Sequence, residues 1–218
     1  MKKVVAIVIS ILIIFGIMVV GLISLFNDKQ RISGDSLKFK EEYEILNGKY
    51  YEEGNIITSN LEIEKDNPFI YVNDFDILEK LTKGTHIIYF GNPECGWSRR
   101  VVPVLTSFAE KNSIETIYYY NFSNLEKLVI NENKDKIKLY NDILSIIKEY
   151  NKDETLDTIL TPVIFFIKDG SIIGSHYKLA ENYMDYNVEL SSEQIEELMT
   201  IYQTHYDNMT KKACEEDC

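Results

Sequence analysis

Residues 4–26 form an uncharged run of 23, with Gly16 and Gly21 as its only glycines. A helix needs about 20 apolar residues to cross a bilayer core, so the run predicts a single transmembrane anchor. The competing reading is a cleaved signal peptide, whose apolar stretch is typically about 7–15 residues. The run here is longer, Leu22-Ile23-Ser24 is a poor cleavage site, and no cysteine follows directly to carry a lipid. An uncleaved signal anchor preceded by a tail of residues 1–3 is expected. Lys2 and Lys3 favour an inside N-terminus, whereas Lys29, Arg31, Lys38 and Lys40 pull the opposite way. The expectation is a single-pass cell-membrane protein with its soluble domain extracellular, chiefly because of the thiol chemistry below.

Charge narrows the partners. The chain has 23 Lys and Arg against 35 Asp and Glu, a formal net charge of −12. Nucleic acid selects for basic surfaces, so nucleic-acid binding is excluded as a function class. Docking on anionic lipid through a basic patch is disfavoured for the same reason. Apolar residues make up 45%, with 10 Gly and 4 Pro, a composition that folds rather than staying disordered. Three cysteines are too few for a disulfide scaffold.

After the anchor, residues 27–66 read as a polar linker and an N-terminal extension. The extension holds a short helix over 37–46, stopped by Asn47-Gly48, and a weak strand over 56–63. A regular pattern starts at Asn67 and fills a domain over 67–209. It runs strand 69–72, helix from Asn73 or Asp74 to Gly84 with Phe75, Leu78 and Leu81 inward, strand 86–90 and helix 95–111. Strand 115–122 follows, then a helical stretch 124–151 broken near 131–134, strand 160–168, an Asp169-Gly170 hairpin and strand 171–177. Ser191 opens a last helix in capping-box style, with Ile195, Leu198, Met199 and Tyr202 as its buried stripe. Strands alternating with helices demand parallel crossovers, and the hairpin adds an antiparallel pair. The expected fold class is α/β, a mixed central sheet with helices on both faces. Residues 210–218 form a C-terminal tail.

Cys95 sits at a strand-to-helix junction in Asn92-Pro93-Glu94-Cys95-Gly96-Trp97-Ser98-Arg99-Arg100. A positive helix end favours a thiolate, the nucleophilic form of cysteine. Arg99 and Arg100 add positive charge one turn on. The bland alternative is a buried, inert cysteine, but its Pro, Glu, Gly and Ser neighbours are turn and surface residues.

Here the chain resembles the thioredoxin family over about residues 67–209. Cys95-Gly96-Trp97-Ser98 lies where that family carries Cys-x-x-Cys. Pro103, eight residues on, matches its helix-bending proline; Thr161-Pro162 matches its cis-proline before a strand; Gly170 matches its hairpin glycine. The resemblance implies a thioredoxin-like three-layer sandwich and thiol–disulfide exchange with protein or peptide thiols and disulfides. It assigns catalysis to Cys95, Ser98 and Pro162, and substrate contact to Gly96, Trp97 and Thr161, Trp97 as an exposed docking aromatic. It implies no cofactor. Phe39 to Gly48 and Asn67 to Val72 also resemble a looser group of membrane-anchored or secreted Gram-positive thioredoxin-like proteins. Some of these are described as bacteriocin-transport accessory proteins.

Three departures from the family matter. Ser98 replaces the second cysteine, and a serine cannot finish exchange by attacking a mixed disulfide. The family's buried carboxylate, six residues before the nucleophile, falls on Tyr89. The segment between Cys95 and Pro162 is longer, in keeping with an extra helix within 124–151. The tail offers an answer to the first departure: Cys214-Glu215-Glu216-Asp217-Cys218 carries a dithiol that either resolves Cys95 or is a tether or pair of unused thiols.

A metal site is not expected, because no histidine near Cys214 and Cys218 completes a tetrahedral set. His86 and His176 fall in strands and read as packing residues. Thiol peroxidase chemistry is disfavoured for want of a Thr-x-x-Cys arrangement. Two functions remain: a membrane-tethered thiol–disulfide exchange protein using Cys95, with Ser98 donating to the thiolate, and a non-catalytic binding or accessory module.

Overall fold

A computed structural model describes residues 33–51, 56–57, 59–151, 157–177 and 179–211. The expected anchor at 4–26 and the cysteine tail lie outside these residues. Among the described residues, no helix is long and apolar enough to cross a membrane.

The elements are α1 (Gly34–Glu44), β1 (Tyr50–Tyr51), β2 (Ile56–Ile57), β3 (Phe69–Tyr71), α2 (Ile77–Thr82), β4 (His86–Gly91), α3 (Gly96–Lys111), β5 (Ile117–Asn121), α4 (Phe122–Ile130), α5 (Lys134–Asn151), β6 (Val163–Lys168), β7 (Ser171–His176) and α6 (Ser192–Thr210). β1 and β2 make a small antiparallel pair; the other five strands form one sheet in the order β3-β5-β4-β6-β7. β4 runs parallel to β5 and antiparallel to β6. The mixed sheet and the alternation expected from sequence are therefore present.

Strand periodicity sorts the core into two layers. Tyr89, Tyr119, Ile164 and Phe166 face one side, where they bury Val101, Leu105 and Phe108 of α3 and Leu198 and Tyr202 of α6. Ile88, Phe90, Tyr120 and Phe165 face the other, with Ile77 and Leu81 of α2, Leu125 of α4 and Ile143 and Ile147 of α5. Tyr118, Tyr119 and Tyr120 thus divide between the faces. At the hairpin Gly170 takes φ +78°, and a Cβ there would strike the Thr82 carbonyl oxygen at 2.3 Å, which is why glycine stands in the turn.

The extension belongs to the first of these cores. Phe39 of α1 is fully buried and stacks on Phe69 of β3 with ring centroids 4.0 Å apart. Ser36 Oγ donates to Asn67 O at 2.8 Å, and Asn67 Nδ2 returns a bond to Ser36 O at 2.8 Å.

Some local expectations need correction. Phe75 is 93% exposed rather than inward, and Ile77 and Leu81 are the buried residues of α2. Asn73 Oδ1 accepts the Phe75 and Asp76 N–H groups, so a turn occupies 73–76 and delays the helix to Ile77. β6 starts at Val163 rather than at 160. In α6 the Ser191–Gln194 capping box is formed, but Ile195 is exposed, and Leu198, Tyr202 and Met209 carry the burial.

Candidate active site

β4 ends at Gly91, and the chain reverses through Asn92-Pro93-Glu94 into α3. Asn92 accounts for the turn: its Oδ1 accepts the Glu94 N–H at 2.9 Å and its carbonyl accepts the Cys95 N–H at 3.0 Å. Cys95 is the N-cap of α3, with extended backbone and no side-chain cap bond, and its carbonyl accepts the first helical bond, from Arg99 N–H at 3.0 Å. The thiol is free and Cys95 is half-buried. It stands where a helix leaves unpaired N–H groups at its start.

Ser98 is fully buried, and its Oγ accepts the Asn92 N–H at 3.1 Å. It therefore braces the turn that carries Cys95. Beneath it lies Tyr89. The Tyr89 hydroxyl donates to Ser98 O at 3.2 Å and meets Tyr43 Oη at 3.2 Å. Burial pushes the Tyr89 hydroxyl well above the ordinary tyrosine range; Cys95 adds to that shift and the Arg99 charge opposes it. A neutral phenol thus lies beneath the Cys95 turn. Gly91 makes the room, since a Cβ there would fall 2.5 Å from the Tyr89 ring.

Arg99 and Arg100, expected from sequence to add positive charge one turn on from the thiol, are both buried. Arg99 turns into the extension, where its guanidinium donates to Tyr43 O, Asn47 Oδ1 and Ser59 O as well as to Pro93 O. Arg100 donates through Nε to Tyr186 O at 2.8 Å and pairs with Glu189. A guanidinium satisfies such a fork of oxygens better than any other side chain. Their first role is to tie other segments to α3.

The segment between β7 and α6 covers the start of α3. Trp97 is half-buried, edge-on to Tyr183 and Tyr186 at centroid distances of 5.6 and 5.4 Å. It is a packed residue, not the exposed aromatic expected. Gly96 lies under the Tyr186 ring. Spacing along the chain offered no sign of this cover, because its residues lie some ninety positions from Cys95 and carry no motif. Tyr43, Asn47 and Tyr186 are the site residues that sequence reasoning missed. The Asn47-Gly48 stop signal did mark one of them.

Thr161-Pro162 is a cis peptide. The register pairs Phe90 with Val163, so Pro162 lies at the end of β4 from which the Cys95 turn leaves. Pro162 is buried and Thr161 half-buried. Pro103 is inside α3, on its exposed side.

Cys214 and Cys218 lie outside the described residues, but Lys211 bounds them. α6 begins beside Glu189, near the first turn of α3, and its 19 residues carry the chain about 28 Å away. Lys168 Nζ, at the far end of β6, donates to Lys211 O at 2.7 Å. Cys214 is three residues further on, a reach of roughly 11 Å. Cys218, seven residues on, has a reach of roughly 25 Å. Among the described residues no cluster of three His, Cys, Asp or Glu could hold a metal ion.

No family model matches the chain, and no curated protein does. Among solved structures it is similar to thioredoxin O2 from Arabidopsis thaliana in the oxidized state, at 16% identity and a TM-score of 0.32, covering 56% of this chain and 87% of that one. It is likewise similar to thioredoxin O1 from the same plant in the oxidized state, at 17% identity and a TM-score of 0.34, covering 62% of this chain and 96% of that one.

Proposed function

We propose that this chain is a thioredoxin-like thiol–disulfide exchange protein with one active-loop cysteine, anchored by residues 4–26 with its domain outside the cell. The observation that carries the proposal is Cys95 at the N-cap of α3, free and half-buried, at the sheet end where the cis Thr161-Pro162 bond lies. The Cys95 thiolate attacks one sulfur of a substrate disulfide. That S–S bond breaks, a mixed disulfide forms, and the other substrate sulfur leaves as a thiolate that takes up a proton. Ser98 cannot attack this intermediate, so a thiol from the substrate or from another dithiol releases Cys95. Capture and isomerisation suit such a site better than net reduction. Cys218, or the Cys214–Cys218 pair of a second molecule, is the candidate resolving thiol.

The test uses the full chain in detergent with a disulfide-linked fluorescent peptide. Wild-type protein should form a peptide adduct on Cys95 that mass spectrometry identifies and dithiothreitol reverses. No adduct on Cys95 under conditions that alkylate it would end the proposal.

A second reading, a binding or accessory module of the bacteriocin-transport kind, is favoured by one observation. Tyr186 and Tyr183 cover Gly96 and Trp97, where a docking substrate would need access. Unchanged cellular function in Cys95→Ala would select it.

A further inference from the structure

We infer that Arg99 is a positioning residue for Cys95, and that the N-terminal extension forms part of the active site through it. The side chain is fully buried. A guanidinium has five N–H donors, and the structure matches that number with bonds. Nε donates to Ser59 O at 3.1 Å, Nη2 to Ser59 O and Asn47 Oδ1 at 2.6 Å each, and Nη1 to Tyr43 O at 2.8 Å and Pro93 O at 3.3 Å. Three of the four acceptor groups belong to the extension. The fourth, Pro93 O, belongs to the turn that delivers Cys95.

The fork is itself held. Asn47 Oδ1 also accepts the Leu61 N–H at 2.9 Å, and Asn47 Nδ2 donates to Leu61 O at 2.7 Å. A second tie runs in parallel, from Tyr43 Oη to Tyr89 Oη and on to Ser98 O. The turn is thus gripped from both sides, by Ser98 Oγ at the Asn92 N–H and by Arg99 at the Pro93 carbonyl. The guanidinium, bonded to the Pro93 carbonyl of the Cys95 turn, also brings a buried charge to that turn, in a medium that screens it less than water does. Displacing the extension would strip Arg99 of three of its four acceptor groups and free it to leave the Pro93 carbonyl.

The inference rests on Cys95 as the reacting thiol. Its test reads that thiol directly, in the full chain carrying Cys214→Ser and Cys218→Ser. Second-order alkylation rates are measured with neutral iodoacetamide and anionic iodoacetate, alongside thermal unfolding. Arg99→Met should slow both reagents by up to about a hundredfold, the scale on which a misplaced reacting atom loses rate, and should lower the iodoacetate-to-iodoacetamide ratio. Arg99→Lys keeps the charge but has three donors instead of a planar fork. It should restore the ratio without restoring the rate. Asn47→Ala loosens the fork with the guanidinium in place and should slow both reagents at an unchanged ratio. Wild-type rates and ratio in folded Arg99→Met would overturn the inference; if that variant does not fold, wild-type rates in Asn47→Ala would do so. A chain that shows these shifts yet forms no peptide adduct would sink the exchange function and leave the Arg99 assignment standing.

Discussion

Tyr186 lays its ring directly over Gly96, so closely that a Cβ on that glycine would fall 2.2 Å from Tyr186 Cδ2. The two residues are ninety positions apart, and their contact closes the β7–α6 segment over the helix that presents Cys95. Gly96→Ala must push the ring away. Overpacking of this kind typically costs about 1–3 kcal/mol, and here an irregular segment absorbs the displacement. Trp97 is the sole tryptophan of the chain, so acrylamide quenching reports the change. Quenching should increase and Cys95 should alkylate faster; an unaltered quenching curve would mean that the cover does not depend on this contact.

Ser98→Cys tests the chemistry of the missing second thiol. Ser98 is buried beneath the Cys95 turn with its Oγ on the Asn92 N–H. A cysteine there completes a Cys-x-x-Cys pair at the start of a helix. The variant should close a disulfide with Cys95 on oxidation and turn over in a disulfide-reduction assay, where the proposed exchange would leave the wild type as an adduct. Failure to close that disulfide would show that the buried position holds the second sulfur away from the first.

The length of α6 predicts the thiol map of the oxidised monomer. Peptide mass spectrometry should find no bond between Cys95 and Cys214 of one chain, because the helix carries Lys211 about 28 Å from its start. A linkage recovered from monomer would require the last turns of α6 to unwind.

His205 predicts a pH dependence of stability. Its ring packs 5.2 Å from Phe166, centroid to centroid, and burial lowers its pKa from the usual 6.5. Burial is also the main cause of the lowered value at His86, where the Lys80 charge adds to it and a bond to the Lys80 carbonyl opposes it. The folded state keeps both rings neutral where the unfolded chain would protonate them. The unfolded chain therefore binds more protons below about pH 6.5, and stability rises with pH through that window. Both contributions are complete above about pH 6.5 and are lost progressively as the pH falls below it. Urea midpoints from pH 7.5 to 5 should show a shallower fall in His205→Gln than in wild type, and equal slopes would show that His205 titrates normally in the fold.

Much of the fold was legible because hydrophobic period is local. The alternation along β4, β5 and β6, the break between α4 and α5, and the Ser191 cap all follow from residues a few positions apart. Element ends were less legible. Asn73 looked like a helix cap, yet it builds a turn of its own, because an Asx side chain serves either purpose and only the downstream packing of Ile77 and Leu81 selects one. The site was half legible. Cys95 as an N-cap and the position of Pro162 followed from motif spacing. The partners of Arg99 were not legible, since nothing near it in sequence shows that Tyr43, Asn47 and Ser59 supply its acceptors.

By itself the sequence determined the α/β alternation, the helix start that carries Cys95, and a hydroxyl rather than a thiol at Ser98. Each depends on the identity of a residue and its immediate neighbours. Tertiary structure alone decided what surrounds that thiol: the extension gripping its turn through Arg99, the Tyr43–Tyr89–Ser98 tie beneath it, and the Tyr186 cover. These depend on contacts between segments forty to ninety residues apart. Such contacts arise from filling one core and satisfying buried donors, and neither demand leaves a periodic trace along the chain.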